Sequence, residues 1–284
     1  MSHDSKGVIY YPNQRAEASL LKTFLVVLGN IVEGRELIWQ MFKRDFFVVY
    51  RRSILGYFWI LAGPVTGIIT WVFMNYAGIL HPGEVGMPYP VFVLLGSQMW
   101  GLFIGFYKSA AESLGSGSGL MKQIKFEHEV LLVKQAGLVV ANFFITLAVV
   151  FLVMVIFRVV PPWQAVFFPV VILPLFFLGA AMGIVVSVFA SVISDTARIV
   201  GEFIGFLMYI TPVIYTTDFR HPLLKLLVKW NPLSYLIAAS RDILTVGSIQ
   251  QFNGYLVVSA LTIVLFLTAL RLFYVSEPLV AEKI

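Results

Sequence analysis

Six stretches of this chain are apolar and almost free of charge, each near the roughly 20 residues an α-helix needs to cross the hydrocarbon of a bilayer. They run near Ile54–Ile79, Pro90–Ser109, Gln135–Phe157, Trp163–Ser191, Ile199–Tyr215 and Gly254–Val275, punctuated by Gly, Pro and charge. A single soluble globule has no interior large enough to hide them. Composition agrees: 59% of the 284 residues are hydrophobic and 12% charged, against about 45–50% and about 25% in soluble domains. Inside a bilayer each backbone polar group must find a partner within the protein, which leaves helices as the way to place such runs. The expected fold class is therefore all-α integral membrane, with six transmembrane helices.

The scarce charge is distributed unevenly. Of the 20 Lys and Arg, 15 fall in the N-terminus, in Lys108 to Lys134, at Arg198, and at Arg271 and Lys283; the other five, Arg158 and Arg220 to Arg241, fall on the opposite side. The positive-inside rule then places both termini in the cytoplasm of a cell with a cytoplasmic (inner) membrane. The formal net charge of +5 follows from this topology, and no nucleic-acid partner is expected.

The first 53 residues hold eight of the Lys and Arg and begin with a polar stretch, unlike a cleavable signal peptide. Leu20 to Val32 is apolar but too short to span. Glu36 to Arg52 interleaves Leu37, Ile38, Met41, Phe42, Phe46 and Val49 with Lys43, Arg44, Asp45, Arg51 and Arg52. That pattern predicts helices lying in the membrane interface. The chain divides into 1–53, a cytoplasmic N-terminus with an interfacial amphipathic helix; 54–275, a six-span domain; and 276–284, a cytoplasmic tail.

Two connections exceed simple turns. The cytoplasmic 110–134 loop carries Gly115-Ser-Gly-Ser-Gly119 before an amphipathic stretch, Leu120 to Val133. The outer segment, 216–253, mixes Leu223, Leu224, Leu226 and Leu227 with Lys225 and Lys229 and is broken at His221-Pro222 and Asn231-Pro232. It reads as a re-entrant pair of short helices, a form tolerated at membrane depth where protein or a watery cavity satisfies the backbone.

Catalytic chemistry is thinly supplied. There is no cysteine, and His3, His81, His128 and His221 are scattered, so neither thiolate nor metal chemistry is expected. The Gly115–Gly119 run lacks the Lys-Ser/Thr of a phosphate loop and follows a span rather than a strand. No cofactor is expected in this chain, and any ATP-driven work falls to another. Asp218 and Asp242 on the outer side make a poor cluster for a membrane glycosyltransferase or polymerase.

Small and aromatic residues form faces. Ser97, Gly101, Gly105 and Ser109 run down the second span, and Gly179, Gly183, Ser187 and Ser191 down the fourth. Gly63/Gly67 and Gly201/Gly205 repeat the spacing. Such stripes let helix backbones approach, either within one subunit or at a seam between subunits. Trp100, Phe103 and Tyr107 mark a face of the second span, and Phe206 and Tyr209 one of the fifth, beside Glu202. These rings suit interfacial anchoring or a lining on which sugar rings slide, with apolar faces and hydrogen-bonding tips. Glu202, an acidic residue placed inside a span, is compatible with snorkelling or with pairing to Arg198 one turn earlier.

Arg44-Asp45, then Tyr50-Arg51-Arg52-Ser53-Ile54-Leu55-Gly56-Tyr57-Phe58-Trp59 and Pro64, together with Thr211-Pro212-Val213-Ile214-Tyr215 and Asn231-Pro232-Leu233 followed by Arg241, resemble the membrane subunit of type-2 ABC exporters for surface polysaccharides: O-antigen, capsule and wall teichoic acid. The resemblance covers nearly the whole chain in length and span order. It implies a homodimeric permease: a second copy of itself, two ATP-binding subunits carrying ATP and Mg, a lipid-linked polysaccharide as cargo, and downstream envelope export proteins. It also implies that Arg44, Asp45, Arg51, Arg52, Lys122, Lys125, Phe126, Glu127 and Glu129 couple to the ATPase. Trp59, Trp100, Phe103, Tyr107, Phe206, Tyr209 and Tyr215 would line the pathway, and Pro212, Asn231, Pro232 and Arg241 would form an outer gate. A drug or small-lipid exporter remains the alternative within transport.

Overall fold

The structure is a computed structural model that describes residues 19–51, 58–113, 129–193, 195–217 and 221–281. Among the described residues there are helices and no strands. In chain order they are α1 (Leu20–Glu33), α2 (Arg35–Arg51), α3 (Phe58–Tyr76), α4 (Tyr89–Ala111), α5 (Glu129–Ile156), a 3₁₀ turn (Trp163–Phe167), α6 (Phe168–Val171), α7 (Leu173–Ala190), α8 (Asp195–Ile210), α9 (Pro222–Trp230), α10 (Pro232–Thr245) and α11 (Phe252–Ala281).

Four of these segments are long and apolar enough to cross a membrane: Tyr89–Ala111, Glu129–Ile156, Trp163–Ala190 and Phe252–Ser276. The fourth expected span is not one continuous α-helix. Pro169 and Pro174 lack a donor N–H, so the chain enters through the 3₁₀ turn and the single turn of α6 before α7 begins. The first expected span is occupied by α3, whose 19 residues, Phe58–Tyr76, are almost wholly apolar. The fifth expected span forms a shorter helix. Helix α8 stops at Ile210, just before Thr211 and Pro212, because proline cannot continue the hydrogen-bond ladder and disfavours helical geometry at the residue before it. Its 16 residues reach about 24 Å, short of the ~30 Å hydrocarbon core.

Packing centres on α4. Its Val93, Leu94, Leu95, Met99 and Phe103 have no solvent exposure. The glycine stripe on α7 explains how the two helices come so close. A β-carbon at Gly179 would lie 2.6 Å from the Phe103 carbonyl oxygen, and one at Gly183 would collide with the Tyr107 carbonyl. Only glycine permits this backbone contact. On its other side α7 packs on α11 through Ala181, Ile184, Ala269, Leu270 and Phe273. The stripe on α4 behaves differently: Gly105 abuts Val139 of α5, whereas Gly101 faces open space.

At the basic end α1 is capped by Ser19, whose Oγ accepts from the Lys22 N–H at 3.3 Å. Gly34 then turns the chain into α2 while lying against Val130 of α5. Helix α1 buries Thr23 and Val27 and leaves Leu21, Leu25 and Val32 exposed. Beneath it lies an apolar cavity of about 230 Å³ walled by α4, α5, α7 and α11. Helix α2 stacks Trp39, Phe42 and Phe46 along one side, with ring centroids 5.5 and 5.6 Å apart. Its Met41, Leu37 and Ile38 pack on Val130 and Leu131 at the start of α5.

At the opposite end α9 and α10 each start on a proline, where the missing N–H costs nothing. Helix α9 exposes Leu223, Leu224, Leu226, Leu227 and Trp230, while α10 buries Leu233, Leu236, Ile237 and Leu244. Two short helices are present in this segment, with α10 as the anchored member.

Candidate functional site

The first candidate region is the joint between α2 and α5. The carboxylate of Asp45 accepts from Arg44 Nε at 2.8 Å and from Lys134 Nζ at 2.9 Å. The Lys134 side chain is only 7% exposed and that of Asp45 26%. Burial pushes the Asp45 pKa up, but the hydrogen bonds and charges of Arg44 and Lys134 outweigh it and hold the carboxyl below its ordinary 3.8. Glu129, buried at the first position of α5, accepts from Asn30 Nδ2 of α1 at 3.5 Å. Helices α1 and α2 are thus tied to the third expected span by polar contacts as well as by apolar packing. Of the residues expected to couple to an ATPase, the structure gathers Arg44, Asp45 and Glu129 here. Arg52, Lys122, Lys125, Phe126 and Glu127 lie outside the described residues, as do the side chains of Arg51 and Trp59.

The second region is the far end, where the turn after α8 meets α4 and α10. Asn231 holds two elements at once: its Oδ1 caps α10 by accepting from the Leu233 N–H at 3.0 Å, and its Nδ2 donates to Thr211 Oγ1 at 2.8 Å. Arg241 of α10 donates to the Pro212 carbonyl at 3.4 Å and lies 3.8 Å over the Phe92 ring of α4. The Tyr89 hydroxyl donates to the Ile214 carbonyl at 3.1 Å, and Thr216 donates to the Pro82 carbonyl. Tyr215 donates to the Tyr209 carbonyl. The expected gate residues Pro212, Asn231, Pro232 and Arg241 are therefore neighbours, with Tyr215 beside them. A recess of about 330 Å³, edged by Glu84, Arg241, Asp242 and Gln250, opens at this junction.

The aromatic faces separate into two kinds. Trp100, Phe103 and Tyr107, expected along the pathway, are 8%, 0% and 1% exposed and belong to the core of the single chain. The reason is the α7 glycines, which bring that helix's backbone onto the same face of α4. Phe206 and Tyr209 are 66% and 60% exposed, with Ile199, Glu202 and Phe203 on the same open side of α8. Arg198 and Glu202 are both exposed and form no ion pair among the described residues.

The third region was not anticipated. A groove of about 470 Å³ runs between α3, α4 and α5, with Met208 of α8 also in its wall. Gly67 and Gly101 are open along it, since a β-carbon on either would meet nothing within 4 Å. Trp71, Ser97, Gln98, Asn142 and Thr146 supply aromatic and polar surface, and no ionisable side chain among the described residues lines it. The Ser97–Gly101–Gly105 spacing marked one wall in the sequence, but the stripe was compatible with close packing, and Trp71, Gln98 and Asn142 come from three different helices.

Long apolar helices, polar joints at both ends and a groove along the side define a multi-pass membrane permease. The chain belongs to the ABC-2 type transporter family, whose sequence pattern matches residues 36–245. It is similar to an O-antigen export system permease protein RfbA of Myxococcus xanthus, with 21% identity over 260 residues, covering 91% of this chain and 99% of that protein. Two proteins of the same name from Klebsiella pneumoniae are 22% and 21% identical over 210 and 207 residues, covering 73% and 72% of this chain and 80% and 78% of theirs.

Proposed function

We propose that this chain is the permease of an ATP-driven exporter that moves a lipid-linked polysaccharide across the cytoplasmic membrane. The carrying observation is the similarity to O-antigen export permeases along 91% of the chain, joined to membership of the ABC-2 type family. Polysaccharide is preferred over drug or small-lipid cargo because three relatives carry the same O-antigen export name. In this reading α3 and α8 complete a six-span unit, both termini face the cytoplasm, and α9 with α10 re-enters the outer leaflet.

The transporting unit is a homodimer with two ATP-binding subunits, which carry ATP and Mg and perform the hydrolysis. They act on the basic end, where the Lys134–Asp45 pair and the Met41–Val130 packing join α2 to α5. Movement of α2 is thereby passed to a long apolar helix. At the far end, Asn231 and Arg241 tie the end of α8 to α10, so a shift of α8 is passed to the outer segment. The exposed rings of Phe206 and Tyr209 suit a surface along which a polymer slides without being gripped. The polymer is then handed to downstream envelope export proteins.

Deletion of the gene in its source organism, with complementation by the wild-type chain, tests this. Loss of surface polysaccharide with lipid-linked polymer accumulating inside, reversed by the complement, is the expected result. Unchanged surface polymer in the deletion strain overturns the reading.

A further inference from the structure

We propose that the groove between α3, α4 and α5 is a subsite for uncharged sugar residues of the exported polymer, with Gln98 as the residue that reads their hydroxyl groups. This rests on the polysaccharide-export reading above.

The Gln98 side chain lies on a helix long and apolar enough to cross the membrane, lines the groove and is 7% exposed, yet it makes no hydrogen bond among the described residues. The part of this carboxamide that is not buried faces the groove, so whatever fills the groove must supply its hydrogen-bond partners, which a hydrocarbon tail cannot do. Polar residues at such positions face pathways or partners rather than lipid tails. Ser97, the next residue and also in the groove wall, likewise makes no hydrogen bond among the described residues.

The remaining wall narrows the ligand class. Trp71 offers an aromatic plate, Asn142 and Thr146 add polar groups, and Gly67 and Gly101 leave the floor free of side chains. An aromatic face for the C–H side of a ring, beside amides for its hydroxyls, is chemistry that suits a sugar. Among the described residues of the lining there is no Lys, Arg, Asp or Glu, which disfavours a lipid phosphate or a charged drug. The volume of about 470 Å³ falls in the range of about 300–1,000 Å³ typical of ligand pockets.

The test uses the deletion strain complemented by wild type, Gln98→Leu, Gln98→Asn, Trp71→Leu or Trp71→Phe. Export is read as newly surface-exposed polymer per copy of the chain in the membrane. The purified complex without polymer is also melted. Gln98→Leu should lower export about fivefold, the scale of losing a neutral hydrogen bond, while Gln98→Asn and Trp71→Phe stay within about twofold and Trp71→Leu falls like Gln98→Leu. Since the amide has no protein partner to lose, Gln98→Leu should melt no lower than wild type.

Wild-type export by Gln98→Leu, or a lower melting temperature for that variant, overturns the subsite while leaving polysaccharide export standing. Failure of the wild-type chain to restore export removes the export reading and the subsite with it.

Discussion

The ammonium of Lys134 lies 2.9 Å from Oδ2 of Asp45, bridging the start of the long helix α5 and the amphipathic helix α2. The two partners are not equivalent, because Lys134 is the more deeply buried. Asp45→Asn strands a buried ammonium and should cost about 2 kcal/mol, less than the roughly 3–5 kcal/mol of a fully buried pair because Asp45 is partly exposed. Lys134→Met removes the charge along with the partner and should cost under about 1 kcal/mol. Both variants should export poorly, and the double variant should melt near Lys134→Met without regaining export. Thermal melting of the purified chain, alongside surface polymer, separates the two effects.

The same pair sets a pH dependence. Because the folded Asp45 carboxyl titrates below 3.8, its contribution is fully present above that value and is lost as the pH falls through the folded pKa. Protection of α2 from proteolysis should be flat from about pH 5 to 8 and drop only below about pH 4. That acid step should be absent in Asp45→Asn.

What the sequence made legible follows from which forces are local. Run length identified the apolar helices, and the His221-Pro222 and Asn231-Pro232 breaks located α9 and α10, because proline acts on its own backbone. The division of the aromatic residues was hidden. Trp100, Phe103 and Tyr107 look as suitable for a pathway as Phe206 and Tyr209 do, and only the approach of Gly179 and Gly183 of α7 decides that the first set is core. Lys134 read as one more cytoplasmic cation until its partner 89 residues away came into view.

The glycines should respond in opposite ways. Gly183→Val would drive side-chain atoms into the Tyr107 carbonyl and the Ala110 methyl, so separation of α4 from α7 and loss of folded protein are expected. Gly101→Ala meets nothing within 4 Å and, as alanine is the better helix former, should hold or slightly raise the melting temperature. Size-exclusion profiles and melting of the two variants give the comparison.

At the far end, Asn231→Ala deletes both the cap of α10 and the bond to Thr211, and should cost about 1–2 kcal/mol. Asn231→Asp keeps a capping oxygen but faces Thr211 Oγ1, already donating to the Leu207 carbonyl, with a second acceptor. It should therefore loosen the junction rather than preserve it. The chain has no cysteine, so Leu227→Cys on α9 gives a unique reporter. Its labelling by a maleimide should change in the Asn231→Asp background and remain at its original rate when Asn231 is intact.

The two sets of rings give the sharpest separation of stability from transport. Phe103 is fully buried in the main core, and truncation of such a ring leaves a cavity: Phe103→Ala should cost about 3–5 kcal/mol and reduce the amount of folded chain. Phe206 and Tyr209 are largely exposed on α8, so their removal empties no core. The tie from Tyr215 survives too, because it reaches the backbone carbonyl of Tyr209 and not its ring. Phe206→Ala with Tyr209→Ala should therefore leave melting within about 0.5 kcal/mol of wild type while slowing polymer export per copy of the chain. Rates at the wild-type level would return these rings to anchoring in the bilayer. Pulse-labelled surface polymer, normalised to chain in the membrane, distinguishes a slower pathway from a smaller number of transporters.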